Sequence, residues 1–214
     1  KRKVWFDDLS FECLGTEVIE TSIKVDPAEQ KAEMSPYIYG QFIEHMGHCI
    51  YGGIWAEMLM DRKFWYAPGQ KGSPWQIAGT DKAEEGLYMD ETAPYTGRHT
   101  PVLKSDGKRI ALKQTQLGLR PGISCSGYIV MKADREMPVK VMLNYGSFTQ
   151  ELSLEVGTTY RKYPVHFSAF DHKVKDATFS ICPQKEGRLW IGTASLMPDD
   201  HIDGFRADVL ALLR

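Results

Sequence analysis

Glu44, His45 and His48 stand close together in Tyr37-Ile-Tyr-Gly-Gln-Phe-Ile-Glu-His-Met-Gly-His-Cys-Ile-Tyr-Gly-Gly-Ile-Trp55, the window of this chain richest in side chains capable of chemistry. Histidine and glutamate are common zinc ligands. Adjacent strand positions face opposite sides, however, and do not converge on one ion, so no metal and no cofactor is assigned here. A second reading of Glu44 is a rim carboxylate paired to an arginine. A third is a functional carboxylate delivered to the end of a strand, because Ile38, Phe42 and Ile43 form an apolar run that stops where Glu44 begins. Gly47 and the Gly52-Gly53 pair then let the backbone turn tightly or approach a ligand.

Outside this window the chemistry is sparser. Trp65, Tyr66, Trp75, Tyr88 and Tyr95 fall in or near loops, where aromatic faces stack on sugar rings or plug one layer onto another; the second use is preferred, since buried aromatics dominate interfaces. Phe179 and Trp190 lie inside strand patterns and are expected in the core. Asp7-Asp8 and Asp199-Asp200 read as turn and cap residues rather than a calcium site. Glu84-Glu85 and Asp90-Glu91 read as a solvated acidic loop, and His99 and His166 have no partner spacing. Cys13, Cys49, Cys125 and Cys182 are too far apart for a metal or redox pair.

The elements that must position these residues change along the chain. Thr21–Asp26 alternates as a short strand, and Trp55–Phe64 combines good helix formers with apolar residues at helical spacing. Pro68, Gly69, Gly72 and Pro74 make a linker. From Trp75 to Leu196 short alternating segments separated by glycine, proline and aspartate predict an antiparallel sandwich or jelly roll: Lys108–Leu112, Ser126–Lys132, Val139–Asn144, Thr149–Leu154, Tyr163–Ser168, Ala177–Ile181 and Arg188–Ile191. Gly118–Gly122 reads as a loop. Lys3–Phe11 and Arg188–Leu196 share a spacing and read as closing strands of two sandwiches. After Pro198, apolar residues at Phe205, Val209, Leu210, Leu212 and Leu213 predict a helix.

Composition narrows the partners. The 214 residues are 43% hydrophobic and 25% charged, with a formal net charge of -2. That balance, with lysines and arginines scattered along the sequence, argues against nucleic acid. No apolar run approaches the roughly 20 residues that span a bilayer, so no membrane partner is expected.

Three stretches together resemble the family 51 α-L-arabinofuranosidases among glycoside hydrolases: Tyr39–Glu57, Asp61-Arg-Lys-Phe64 and Ser195–Leu210. The resemblance implies a mainly β chain in which a jelly-roll β-sandwich is inserted between the first strand and first helix of an incomplete (β/α)8 barrel. Residues 1–20 would end an upstream sandwich or linker, and 21–66 would start the barrel, with its first strand at Ile38–Ile43. Residues 67–196 would be a carbohydrate-binding-like sandwich, and 197–214 the truncated first barrel helix. Glu44 would hydrogen-bond the arabinose unit, with Gly52, Gly53 and Trp55 in the substrate-binding loop beside it.

The family resembles other retaining glycosidases in using two carboxylates about 5 Å apart, one of them a glutamate that follows an asparagine. Asn144 is the only asparagine here and precedes Tyr145, so no catalytic residue is assigned within the chain and the piece alone is expected to be inactive. The parent protein is expected to remove arabinofuranosyl branches from hemicellulose or pectin, its partners being a polysaccharide and the remainder of the barrel. A polysaccharide substrate favours an exported protein. The competing expectation is a non-catalytic carbohydrate-binding or scaffolding sandwich.

Overall fold

The computed structural model describes residues 12, 15, 22–26, 28, 33–40, 42–79, 86–107 and 110–213. The chain divides into two compact units, 1–40 and 41–214. In the first, the strand expected at Thr21–Asp26 is not formed over its described residues 22–26. Pro36–Tyr39 is a 3-10 helix, opened by Pro36 and by the Ser35 hydroxyl, which accepts from Tyr37 N–H at 3.3 Å. The strand expected at Ile38–Ile43 is therefore not formed over its described residues: 38–39 are helical and Phe42–Ile43 irregular. A parallel strand requires hydrogen-bonding neighbours, and no described strand pairs with this stretch. The Lys3–Phe11 strand, Cys13 and Glu84-Glu85 lie outside the described residues.

Among its described residues the second unit has ten strands: β1 Trp75–Ala78, β2 Leu87–Asp90, β3 Thr100–Ser105, β4 Ala111–Leu119, β5 Cys125–Ala133, β6 Met137–Tyr145, β7 Phe148–Val156, β8 Arg161–Phe167, β9 Val174–Pro183 and β10 Gly187–Pro198. They form two five-stranded antiparallel sheets, ordered β1-β4-β9-β6-β7 and β2-β3-β10-β5-β8. Only β2–β3 and β6–β7 are successive neighbours within one sheet; the other connections cross between sheets, which gives a jelly-roll-like sandwich. The predicted sandwich is present. Most of its strands are longer than expected, the strand expected at Lys108–Leu112 is found instead at Ala111–Leu119, and β1, β2 and β3 carry too few alternating residues to stand out. The expected loop at 118–122 loses Gly118 and Leu119 to the end of β4. Between β6 and β7, Gly146 at φ 55 closes a two-residue turn.

Alternation builds the core. In β6, Met137, Val139, Val141 and Leu143 are at most 1% exposed, whereas the intervening residues face outward. A chain of rings crosses the interior: Phe64 to Trp75 (5.2 Å), Trp75 to Phe179 (6.4 Å) and Phe179 to Phe167 (6.2 Å). Trp190 does not join it. Leu189 and Ile191 occupy the inward positions of β10, so Trp190 points outward, half-buried, and donates its indole N–H to Asp90 at 2.8 Å.

The expected helix at Trp55–Phe64 is also not formed. Ile54, Ala56, Glu57, Leu59 and Phe64 are buried, and the segment crosses the sandwich as an extended strap whose amide groups bond to other segments. Tertiary partners override its helix propensity. The terminal helix α1 is Ala207–Leu212, with no buried residue and no side-chain cap. Asp199 and Asp200 do not cap it: Asp199 accepts from the Ser124 hydroxyl, and Asp200 pairs with Arg120.

Two measurements follow from this packing. Phe64→Ala should destabilise the sandwich by roughly 3–5 kcal/mol, read as a lower chemical-denaturation midpoint. The Thr92 hydroxyl, the Trp190 indole and the Thr92 amide hold the Asp90 carboxyl down at about 2. Because this folded pKa lies below the ordinary 3.8, the stability it contributes is present above about pH 4 and lost as pH falls towards 2. The melting temperature of the wild type should therefore exceed that of Asp90→Asn at neutral pH, and the gap should close across that acid range.

Candidate functional site

The site begins with the strap and what ties it down. Glu57 is a buried carboxylate whose side chain is 1% exposed. Its Oε1 accepts from Leu59 N–H (3.1 Å) and Leu196 N–H (2.9 Å), its Oε2 accepts from the Ser195 hydroxyl (2.6 Å), and the same oxygen forms an ion pair with Arg62 Nε (3.1 Å). Arg62 also donates to Ala194 O (3.3 Å) and the Tyr128 hydroxyl (3.1 Å). On the other sheet, the amide of buried Gln114 meets both backbone groups of Met60, at 2.8 and 3.0 Å. Asp61, at φ 46, accepts from the amides of Trp65 (2.6 Å) and Tyr66 (3.0 Å), which turns Phe64 into the core. The Asp61–Phe64 motif is thus a latch.

Of the predicted site residues, Glu44, Gly52 and Gly53 precede the strap and Trp55 opens it. Residues 46–55 coil into a loop with Cys49 N–H on Met46 O, Gly53 N–H on Ile50 O and Ile54 N–H on Cys49 O, all at 3.1–3.2 Å. Gly53 is required sterically, since a Cβ there would lie 2.0 Å from His48 O, and Gly52 has φ 75. Trp55 is half-buried, edge-on to Phe205 at 5.9 Å. Gly52 and Trp55 line one cleft of about 630 Å³ with Gln116, Arg120, Lys175 and Arg206. Glu44 is half-buried and is not among the residues lining that cleft. Among the described residues, no three histidine, cysteine, aspartate or glutamate side chains converge as a metal site would require.

The cleft's polar wall is preorganised by pairs. Arg206 meets Asp208 through Nε (3.1 Å) and Nη2 (2.6 Å), which holds the Asp208 carboxyl below its usual range. Gln116 sits at φ 63 with its N–H on Asp176 at 3.0 Å, a strained bulge in β4 facing the cleft. The thiol of Cys125, also in the lining, is pushed up to about 12 by burial, so it is no nucleophile at neutral pH.

A shallower groove of about 570 Å³ lies on the outer face of the second sheet, bounded by Trp55, Arg62, Ser126, Tyr128, Lys162 and His201. Gly204 N–H donates to His201 Nδ1 at 3.1 Å, which leaves the proton of a neutral ring on Nε2. The lining combines aromatic surface with a few directed polar groups, as small-molecule sites do. Ser126 meets His166 Nδ1 at 3.0 Å, and Asp199 approaches the same nitrogen at 3.6 Å. A hydrolytic triad requires serine and aspartate on opposite ring nitrogens, so this cluster is not one.

The loop aromatics separate by role. Trp75 is fully buried, and Tyr95 packs over Gly192 and against Tyr160 (5.0 Å). Trp65, 69% exposed, borders a hollow of about 310 Å³ with Arg98 and His99. His99, which has no partner in sequence spacing, holds the carbonyls of Phe64 (2.9 Å) and Trp65 (3.2 Å) through Nε2. Sequence reading missed Glu57, Arg62, Tyr128 and Lys162 as site builders. Glu57 and Arg62 belong to the motif stretches, but Ser195 and Tyr128, which they bond, are more than 60 residues away. Glu57→Ala should cost about 3–5 kcal/mol by leaving Arg62 without its counter-charge, measured as a drop in melting temperature of roughly 6–20 °C.

No family model matches the chain. A stretch of 34 residues is 53% identical to the probable α-L-arabinofuranosidase C of Aspergillus niger, covering 16% of this chain and 7% of that protein. The second unit's fold is similar to solved structures: TmCBM61 in complex with β-1,4-galactotriose (TM-score 0.50, 13% identity, 67% of this chain and 99% of that one) and the CBM22-1 xylan-binding domain of Paenibacillus barcinonensis Xyn10C (TM-score 0.50, 10% identity, 70% and 98%). A CBM4 structure is similar at TM-score 0.50 and 14% identity, over 65% of this chain and 99% of that one. The second unit is therefore a β-sandwich with the fold of carbohydrate-binding modules, and the chain shares a short stretch with a probable α-L-arabinofuranosidase.

Proposed function

We propose that this chain is the portion of a retaining α-L-arabinofuranosidase that carries a carbohydrate-binding sandwich and one wall of the active site. The observation that carries the reading is the 34-residue stretch at 53% identity to a probable α-L-arabinofuranosidase. The geometry supports an inserted module. Ala56 N–H bonds Gly204 O and Arg206 N–H bonds Ile54 O, both at 2.8 Å, so the incoming and outgoing segments run side by side, as the two ends of an insertion must.

In this reading Glu44 accepts hydrogen bonds from the arabinose unit, with Gly52, Gly53 and Trp55 shaping the wall of the substrate site beside it. The acid/base and nucleophile glutamates come from elsewhere in the parent protein, and the reaction is a double displacement with retention at the anomeric carbon. A second reading, a non-catalytic carbohydrate-binding or scaffolding module, is supported by the fold likeness.

Full-length parent protein should hydrolyse an aryl α-L-arabinofuranoside with retention, and Glu44→Gln should lower kcat/KM by roughly 10- to 100-fold, the worth of a hydrogen bond to a charged group. The 214-residue chain alone should show no turnover. A folded full-length protein without turnover would overturn the enzyme reading. Titration calorimetry of the chain with arabino-oligosaccharides and xylan would then decide between binding and a purely scaffolding role.

A further inference from the structure

The two sheets of the sandwich differ in charge. The strands of the first sheet carry Lys113, Lys140 and Lys175 against Glu151, Glu155 and Asp176. The strands of the second carry Lys104, Lys132, Arg161, Lys162 and Arg188 against Asp90 alone. In a chain of net charge -2, folding has gathered Lys104, Lys132, Lys162 and Arg188 onto one face, whereas Arg161, paired with inward Met131, alternates to the other side.

That face is also ordered. Lys104 lies over Tyr88 (4.9 Å), Arg188 over Trp190 (5.5 Å), Lys132 over Tyr160 (4.7 Å) and Trp190 (5.0 Å), and Lys162 over Tyr128 (3.9 Å). Pairing sets Lys104 beside Arg188, Trp190 beside Lys132, and Val130 beside Lys162. With strands about 4.8 Å apart and residues about 3.4 Å along them, the three lysines follow a diagonal with backbone separations of roughly 12 and 8 Å. Asp90 is occupied by Thr92 and Trp190, and Arg188 by Asp134. Among the described residues, no carboxylate pairs with Lys104, Lys132 or Lys162.

We propose that the outer face of the second sheet binds an acidic polysaccharide, its uronate carboxylates pairing with the Lys104–Lys132–Lys162 diagonal. The inference rests on the carbohydrate-binding reading and names the class of glycan. Each ring seats an ammonium group, which limits the wandering of a long lysine side chain and leaves its remaining N–H donors for a carboxylate. Base stacking needs open ring faces, and here the cations lie over them, so charge complementarity favours a uronate polymer over a nucleic acid.

Affinity electrophoresis of the full 214-residue chain tests this, with polygalacturonate, neutral arabinan, xylan and single-stranded DNA as probes. Polygalacturonate should retard the chain more than either neutral glycan, and the retardation should weaken as salt rises from about 50 to about 500 mM. The combined Lys104→Gln, Lys132→Gln, Lys162→Gln variant should bind it about 10-fold more weakly. Lys113→Gln with Lys140→Gln on the other sheet should change it less than about 2-fold, with circular dichroism confirming the fold of both. Equal retardation by neutral and acidic glycans, or unchanged binding in the triple variant, would overturn the proposal and leave carbohydrate binding standing. Retardation by no glycan would overturn both, and tighter binding of DNA would assign the face to nucleic acid.

Discussion

The Glu57 carboxylate ties the incoming segment of the sandwich to its last strand. A buried charge is tolerable only when paired and hydrogen-bonded, and this one has three hydrogen-bond donors, two amides and the Ser195 hydroxyl, and one counter-charge, the Arg62 guanidinium. The partners come from residues 59, 62, 195 and 196, so satisfying one side chain forces two distant parts of the chain together. Trp55, Phe64 and Tyr128 take their positions from that constraint, through the strap itself, through the Asp61 turn and through Arg62. The loop with Gly52 and Gly53 leads directly into it.

The strap divides two surfaces of different character. On one side is a cleft whose guanidinium groups are neutralised by neighbouring aspartates, Arg120 with Asp200 and Arg206 with Asp208. On the other is a sheet face where lysines lie over aromatic rings without carboxylate partners among the described residues. Paired charges shape a wall and contribute little field, whereas uncompensated ones steer an anionic ligand. Trp55 borders both surfaces.

Much of the sandwich was legible because period-two alternation and the turn residues between strands are local signals. β5 to β10 were anticipated to within a few residues at most of their ends. Trp55–Phe64 was misread because Met58, Leu59 and Met60 are good helix formers, and nothing local reveals that Gln114 and Glu57 hold the segment extended. Trp190 was misassigned to the core because an apolar run hides which residues of β10 face inward; the register with β3 and β5 turns it outward. Ile38–Ile43 has strand-like residues, but a strand exists only with partners.

The sequence by itself determined the class of the fold, the tight loop around Gly52 and Gly53, and the stretches that resemble an arabinofuranosidase, since each rests on residue type at short spacing. Only the tertiary structure decided that Glu57 is buried, that Arg62 reaches Tyr128, and that Lys104, Lys132 and Lys162 share one face. Those facts depend on which strands become neighbours and in what register. That choice is made by long-range burial of apolar faces, and no stretch of the chain carries it alone.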